Sequence, residues 1–169
     1  MNGLCVSLFF FSSRRRHTRY ISVLSSDVCS SDLGPTITDS DTRASAEFTR
    51  SALSGNDIVM KSAGNQLRSY CYVLDCASAI LYCLLFGESD EAYNISNDKS
   101  IVSIRDMAES IAKNGKVQIK YVHPSDKERK SYNLMSNSSL TSKKLEDLGW
   151  KACFSLDDGV KATLNLLKE

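Results

Sequence analysis

The chain has 169 residues, 42% of them hydrophobic and 24% charged, with a formal net charge of +1. That is length enough for one ordinary domain with a sizeable core, and the composition is that of a globular protein. It excludes a chain drawn to nucleic acid or to an anionic membrane by bulk charge. Six cysteines (Cys5, Cys29, Cys71, Cys76, Cys83, Cys153) show no metal-ligand spacing and read as free thiols of a reducing cytoplasm.

Residues 1–33 differ from the remainder of the chain. They hold four Arg and two Asp, net +2, leaving 17 basic and 18 acidic residues beyond them. Leu4 to Phe11 is apolar but too short to span a bilayer, and Arg14, Arg15, Arg16 and Arg19 come after it, where a secretory leader would place charge before it. Neither helical nor strand periodicity holds from Ser12 to Leu33, so the segment is expected to be disordered. The runs Phe9–Tyr20 and Ser25–Leu33 resemble the translation of sequencing-adapter DNA joined to a reading frame. On that reading the native product is cut at Gly34; a weak, salt-sensitive basic arm is the alternative.

From Gly34-Pro35 onward the pattern is that of an alternating α/β chain. Asp39 or Asp41 is expected to cap a helix whose stripe is Ala44, Phe48 and Ala52, with Gly55 as its stop. Asp57 to Lys61 reads as a short strand, and Gly64-Asn65 as a turn. Leu67 to Leu74 is rich in aromatic and β-branched residues, which is strand chemistry, and Asp75 is placed to cap the next helix. That helix carries Ala77, Ile80, Leu81, Leu84 and Leu85, an apolar side expected in the core, and stops at Gly87. Glu91 to Ser96 reads as a strand. Ser103-Ile-Arg-Asp106 is a capping box for a helix through Met107, Ala108 and Ile111. Val117 to Val122 is a further strand, Pro124 to Ser139 a polar loop, and Ser142 to Leu148 a short helix followed by Gly149 and a core Trp150. Ser155-Leu-Asp-Asp158 is a second capping box, opening a helix that buries Val160, Leu164 and Leu167.

Arg68-Ser-Tyr-Cys-Tyr-Val-Leu-Asp75 resembles the R-[SD]-[FY]-x-[YH]-V-x-D segment of the NAD-dependent epimerase/dehydratase family, the extended short-chain dehydrogenase/reductases that act on nucleotide sugars. Gly34-Pro35, Tyr93-Asn-Ile-Ser-Asn97 and Leu148-Gly-Trp150 extend the likeness to the C-terminus. The resemblance implies the substrate-binding C-terminal lobe of an extended Rossmann-type fold over residues 34–169, without the dinucleotide-binding half. It implies that Arg68, beside Tyr70, grips a diphosphate oxygen of a nucleotide-diphosphate sugar, which a planar guanidinium does well. It implies that Val59 and Met60 pass along the base, where the residues alone allow a plain buried strand. Arg129 is the nearest match to a second phosphate-binding Arg, and a solvated loop charge fits it equally. NAD is the cofactor implied for the parent, which is expected to be a cytoplasmic homodimer. Thr141 stands where the family has an Asp, which weakens the cap expected there.

The catalytic equipment is absent from this sequence. Hydride chemistry needs a Gly-rich turn after a strand, and the eight Gly contain no G-x-x-G-x-x-G or G-x-G-x-x-G. None of the seven Tyr has a Lys four positions on. His123 has no nucleophile motif around it, and Asp157-Asp158 fits the first turn of a helix. No catalytic, cofactor-binding or metal-ligating residue is assigned. The chain alone is expected to be inactive, either as the substrate lobe of a truncated nucleotide-sugar epimerase, dehydratase or decarboxylase, or as a small non-catalytic α/β binding module.

Overall fold

The computed structural model describes residues 8–12, 19–23, 32–88, 91–122 and 135–168. In chain order the strands are β1 (Leu8–Ser12), β2 (Arg19–Val23), β3 (Asp32–Leu33), β4 (Ile58–Met60), β5 (Leu67–Ser69), β6 (Cys71–Tyr72), β7 (Ala92–Tyr93), β8 (Ile101–Ser103) and β9 (Ile119–Tyr121). The helices are α1 (Ala44–Leu53), α2 (Val73–Phe86), α3 (Ile104–Gly115), α4 (Lys143–Asp147) and α5 (Leu156–Leu166). Short parallel pairs join β3 to β6 and β4 to β9, and an antiparallel pair joins β5 to β8. β1 pairs antiparallel with β2 and, on its other side, with β7. The expectation of an irregular segment before Gly34 therefore does not hold for residues 8–12 and 19–23. Aromatic and β-branched residues are dense in both, which favours pairing. The same pairing gives β7 a neighbour on one edge.

Two apolar clusters hold these pieces. In the first, α3 packs between α1 and α5 and brings Met107, Ala108 and Ile111 against Phe48, Ile58, Tyr72, Val160 and Leu164. In the second, Ala79 and Cys83 of α2 meet Tyr93, Ile95, Leu145 and Trp150. The Trp150 indole donates to Ser78 Oγ at 3.1 Å, so the ring is both packed and hydrogen-bonded.

Both capping boxes form: Ser103 Oγ accepts from the Asp106 N–H, and Ser155 Oγ from the Asp158 N–H, with each Asp returning a bond to the cap residue. The expected caps by Asp39 or Asp41 and by Asp75 do not form. α1 starts after Arg43 with no side-chain cap, because the Asp41 carboxylate is taken by the Arg43 N–H and guanidinium. That contact holds the Asp41 carboxyl below its ordinary value. α2 starts at Val73, two residues before Asp75, and Asp75 instead accepts from the Cys153 and Phe154 N–H groups at 2.9 and 3.0 Å. At the Thr141 position a carboxylate arrives from elsewhere: Asp98 accepts from the Ser142 N–H and meets the Thr141 hydroxyl.

The apolar side of α2 is corrected as well. Leu81 and Leu85 are 59% and 65% exposed, and Leu74, Ala77 and Phe86 also face outward. A helix apolar all round has no stripe to declare its inner face. The inner face here carries Asp75, Ala79 and Cys83. Among the described residues no helix is long and apolar enough to cross a membrane.

Asp157 ties α5 to α3. It accepts from Ser110 Oγ and Asn114 Nδ2, both at 2.9 Å, with Lys113 Nζ at 3.5 Å. Those two hydrogen bonds, with help from Lys113, outweigh the small effect of burial and hold the carboxyl below its ordinary 3.8. A carboxylate more acidic in the folded state than in the unfolded one stabilises above the unfolded value. Its contribution is lost as pH falls through the folded value. Asp157→Asn is therefore expected to be less stable than the parent near neutrality, with the gap closing below about pH 3.8. Urea unfolding at neutral pH and again well into the acid range reads both limbs.

Candidate functional site

β5 carries Arg68 on an extended segment between the Gly64 turn and Tyr70, and β8 fixes it by pairing Arg68 with Val102. Arg68 is half-buried; its Nη1 donates to the Leu67 carbonyl at 2.7 Å and to the Met135 carbonyl at 3.4 Å. Among the described residues no acceptor reaches Nε or Nη2. Half of the guanidinium is thus anchored to backbone, and the other half faces a cavity of about 190 Å³.

The walls of that cavity come from four elements. Val59 and Met60 of β4 stand opposite Arg68, joined by Phe48 and Glu47 of α1, Gln66 ahead of β5 and Ile104 of α3. Val59 is 44% exposed and lines the opening, while Met60 is buried and forms its floor. The β4 alternation of buried, exposed, buried residues puts Val59 outward. The arrangement is a cation and a carboxamide beside an apolar surface, which suits a ligand with an anionic end and a flat apolar end.

Arg68, Val59 and Met60 therefore share one concavity. Tyr70 does not join them. It is 5% exposed in the first cluster, and burial pushes its phenol up to about 12, against an opposing pull from Arg68. The reason is a change of partner in the chain: β5 pairs with β8, whereas β6 pairs with β3. At the break the Tyr70 N–H goes to the Ser100 carbonyl at 3.0 Å. The loop residue Arg129 lies outside the described residues, as does His123. Glu47, Phe48 and Ile104 went unforeseen, since nothing local in the sequence ties α1 or α3 to β5. Gln66 carries a signal that was available, because two residues apart on an extended chain share a face.

The turn before β5 shapes the cavity floor. Gly64 has φ +69, and a Cβ there would lie 2.4 Å from Met60 Cε and 3.0 Å from the Arg105 nitrogen. Gly64→Ala is expected to cost about 1–2 kcal/mol, from the left-handed backbone and the displaced methionine. Urea unfolding of the variant checks it, and nucleotide affinity should fall with the loss of the Met60 floor.

A dinucleotide does not fit the described residues. The parallel strand–loop–helix β3–α1 is the place where one would sit. Its loop has a single Gly34, and a Cβ there would meet Val73 Cγ1 at 2.8 Å, so that glycine serves packing against α2. The cavity beside it, against Leu33, Gly34 and Arg43, has a volume of only about 10 Å³. Arg43 stands at the start of α1 already paired with Asp41. Among the described residues no three His, Cys, Asp or Glu side chains gather as metal ligands, and burial pushes the Cys83 thiol up to about 11.

Residues 10–96, about half the chain, match the model of the NAD dependent epimerase/dehydratase family, and the chain belongs to that family. UDP-glucuronic acid decarboxylase 3 of Arabidopsis thaliana is 28% identical over 131 residues, which is 75% of this chain and 36% of that protein. The crystal structure of dTDP-glucose 4,6-dehydratase from Bacillus anthracis in complex with NAD superposes with a TM-score of 0.64 at 20% identity, covering 79% of this chain and 41% of that one. UDP-glucose 4-epimerase from Thermotoga maritima, solved with UDP-glucose, gives a TM-score of 0.65 at 22% identity over 79% of this chain and 42% of that one. The α/β fold is that of the extended short-chain dehydrogenases, and NAD is the family's cofactor. The chain spans well under half the length of these relatives.

Proposed function

We propose that this chain carries the nucleotide-sugar-binding part of an NAD-dependent epimerase, dehydratase or decarboxylase, and that these residues alone bind a nucleotide diphosphate-sugar without transforming it. The observation that carries the reading is the single cavity shared by Arg68, Val59 and Met60. Arg68 holds a diphosphate oxygen through the guanidinium edge that no protein acceptor occupies among the described residues. Val59, Met60 and Phe48 give the base an apolar surface. Arg129 remains a candidate second phosphate ligand on the loop that follows β9. The hydride step belongs to the NAD-binding part of the family fold, whose Gly-rich turn and Tyr-Lys pair are not among these 169 residues. A reducing cytoplasm suits the free thiols of Cys71, Cys76, Cys83 and Cys153.

The cavity is small against the ~300 Å³ and upward of enclosed ligand sites, so binding should be weak. The UDP-glucose seen in the Thermotoga maritima epimerase makes UDP the probe of choice. Calorimetric titration of the chain is expected to show saturable UDP binding and uridine binding at least ~10-fold weaker, since the diphosphate supplies the charge-assisted bonds. Equal affinity for the two would overturn the assignment of Arg68 to the phosphate.

A further inference from the structure

We propose that the Gln66 side-chain carbonyl accepts a hydrogen bond from a ribose hydroxyl of the bound nucleotide and so makes the site select ribonucleotides. The inference rests on the reading of the cavity as a nucleotide-sugar site. Gln66 lines that cavity, and its Oε1 is buried with no hydrogen-bond partner among the described residues. Native structures leave few such acceptors unpaired, because stripping one of water without replacement is costly. The main chain at this residue is fixed, its carbonyl accepting from the Ile104 N–H at 3.1 Å. The side chain is therefore presented from a rigid base.

Its position along the strand indicates which part of a ligand it meets. Residues 66 and 68 are two apart on an extended chain, so they share a face and stand ~7 Å apart. On the far side of Gln66 from Arg68 comes Gly64, packed against the Met60 methyl. The cavity thus runs from guanidinium to carboxamide to the apolar wall of Met60, Val59 and Phe48. A nucleoside diphosphate runs in the same order, from diphosphate to ribose to base. With the first at Arg68 and the last on the apolar wall, the ribose hydroxyls fall beside an acceptor that has no other donor.

The test compares UDP, 2′-deoxy-UDP and 3′-deoxy-UDP on the full chain by calorimetry. The parent is expected to lose about 5- to 10-fold in affinity when one of the two hydroxyls is removed, the loss typical of one neutral hydrogen bond. Gln66→Leu is expected to bind UDP as weakly as that deoxy analogue and to distinguish the three no longer. Gln66→Glu, which keeps an acceptor oxygen, is expected to go on distinguishing them at lower overall affinity, its charge lying near the diphosphate. The comparison within the parent needs no variant, so it stands even should Gln66→Leu fail to fold. Equal parent affinity for all three, with UDP binding still weakened in Arg68→Ala, overturns the role of Gln66 and leaves the site in place. Absence of saturable UDP binding by a cooperatively folded chain overturns both.

Discussion

Arg68→Ala is expected to weaken UDP binding by roughly 10- to 100-fold, the range for loss of hydrogen bonds to a charged group. The expectation follows from how the side chain is held. Nη1 is spent on the Leu67 and Met135 carbonyls, which aim the guanidinium without neutralising it. Arg68→Lys keeps the charge but loses the planar fork, and should fall between the two. Binding to the parent should also weaken with salt, because the residue is only half-buried and its field is screened. Neither substitution should move the unfolding midpoint much, as the two carbonyls that lose Nη1 lie in part-exposed surroundings. Affinity that survives Arg68→Ala would remove the phosphate anchor from this position.

Asp75→Ala is expected to be the most damaging single change to the fold, at about 2–3 kcal/mol. The carboxylate is 2% exposed and accepts from two backbone N–H groups, those of Cys153 and Phe154. Truncation strands both donors, and each stranded donor costs about 1–3 kcal/mol when shielded from water. Their surroundings are part-buried, which favours the lower end. For a chain of this size such a loss lowers the midpoint by about 4–12 °C. Asp75→Asn keeps one acceptor oxygen and should lose about half as much. Urea unfolding followed by Trp150 fluorescence reports directly on the neighbouring cluster. A variant within about 0.5 kcal/mol of the parent would show that the two N–H groups find water instead.

These two residues also show what the sequence could and could not disclose. The capping boxes at Ser103 and Ser155 were legible because every partner lies within three residues. Asp75 obeyed the same local logic on paper, yet its partners lie 78 and 79 residues away. No spacing rule reaches that far. Asp41 failed as a cap for the opposite reason, since a stronger partner, Arg43, stood closer. The meeting of Arg68 with Val59 and Met60 was foreseen through resemblance, while alternation along the strand alone would have carried Tyr70 into the cavity too. The chain exchanges one partner strand for another at Tyr70, and alternation says nothing about such a switch.

The outward leucines of α2 bear on what holds this chain together. Hydrocarbon that remains in water after folding lends nothing to the folded state. Leu74, Leu81, Leu85 and Phe86 are therefore spectators to its stability, although any hydropathy count credits them to it. The free energy that keeps these residues folded has to be found in the two clusters around Met107 and Trp150, and in the polar ties among α2, α3 and α5.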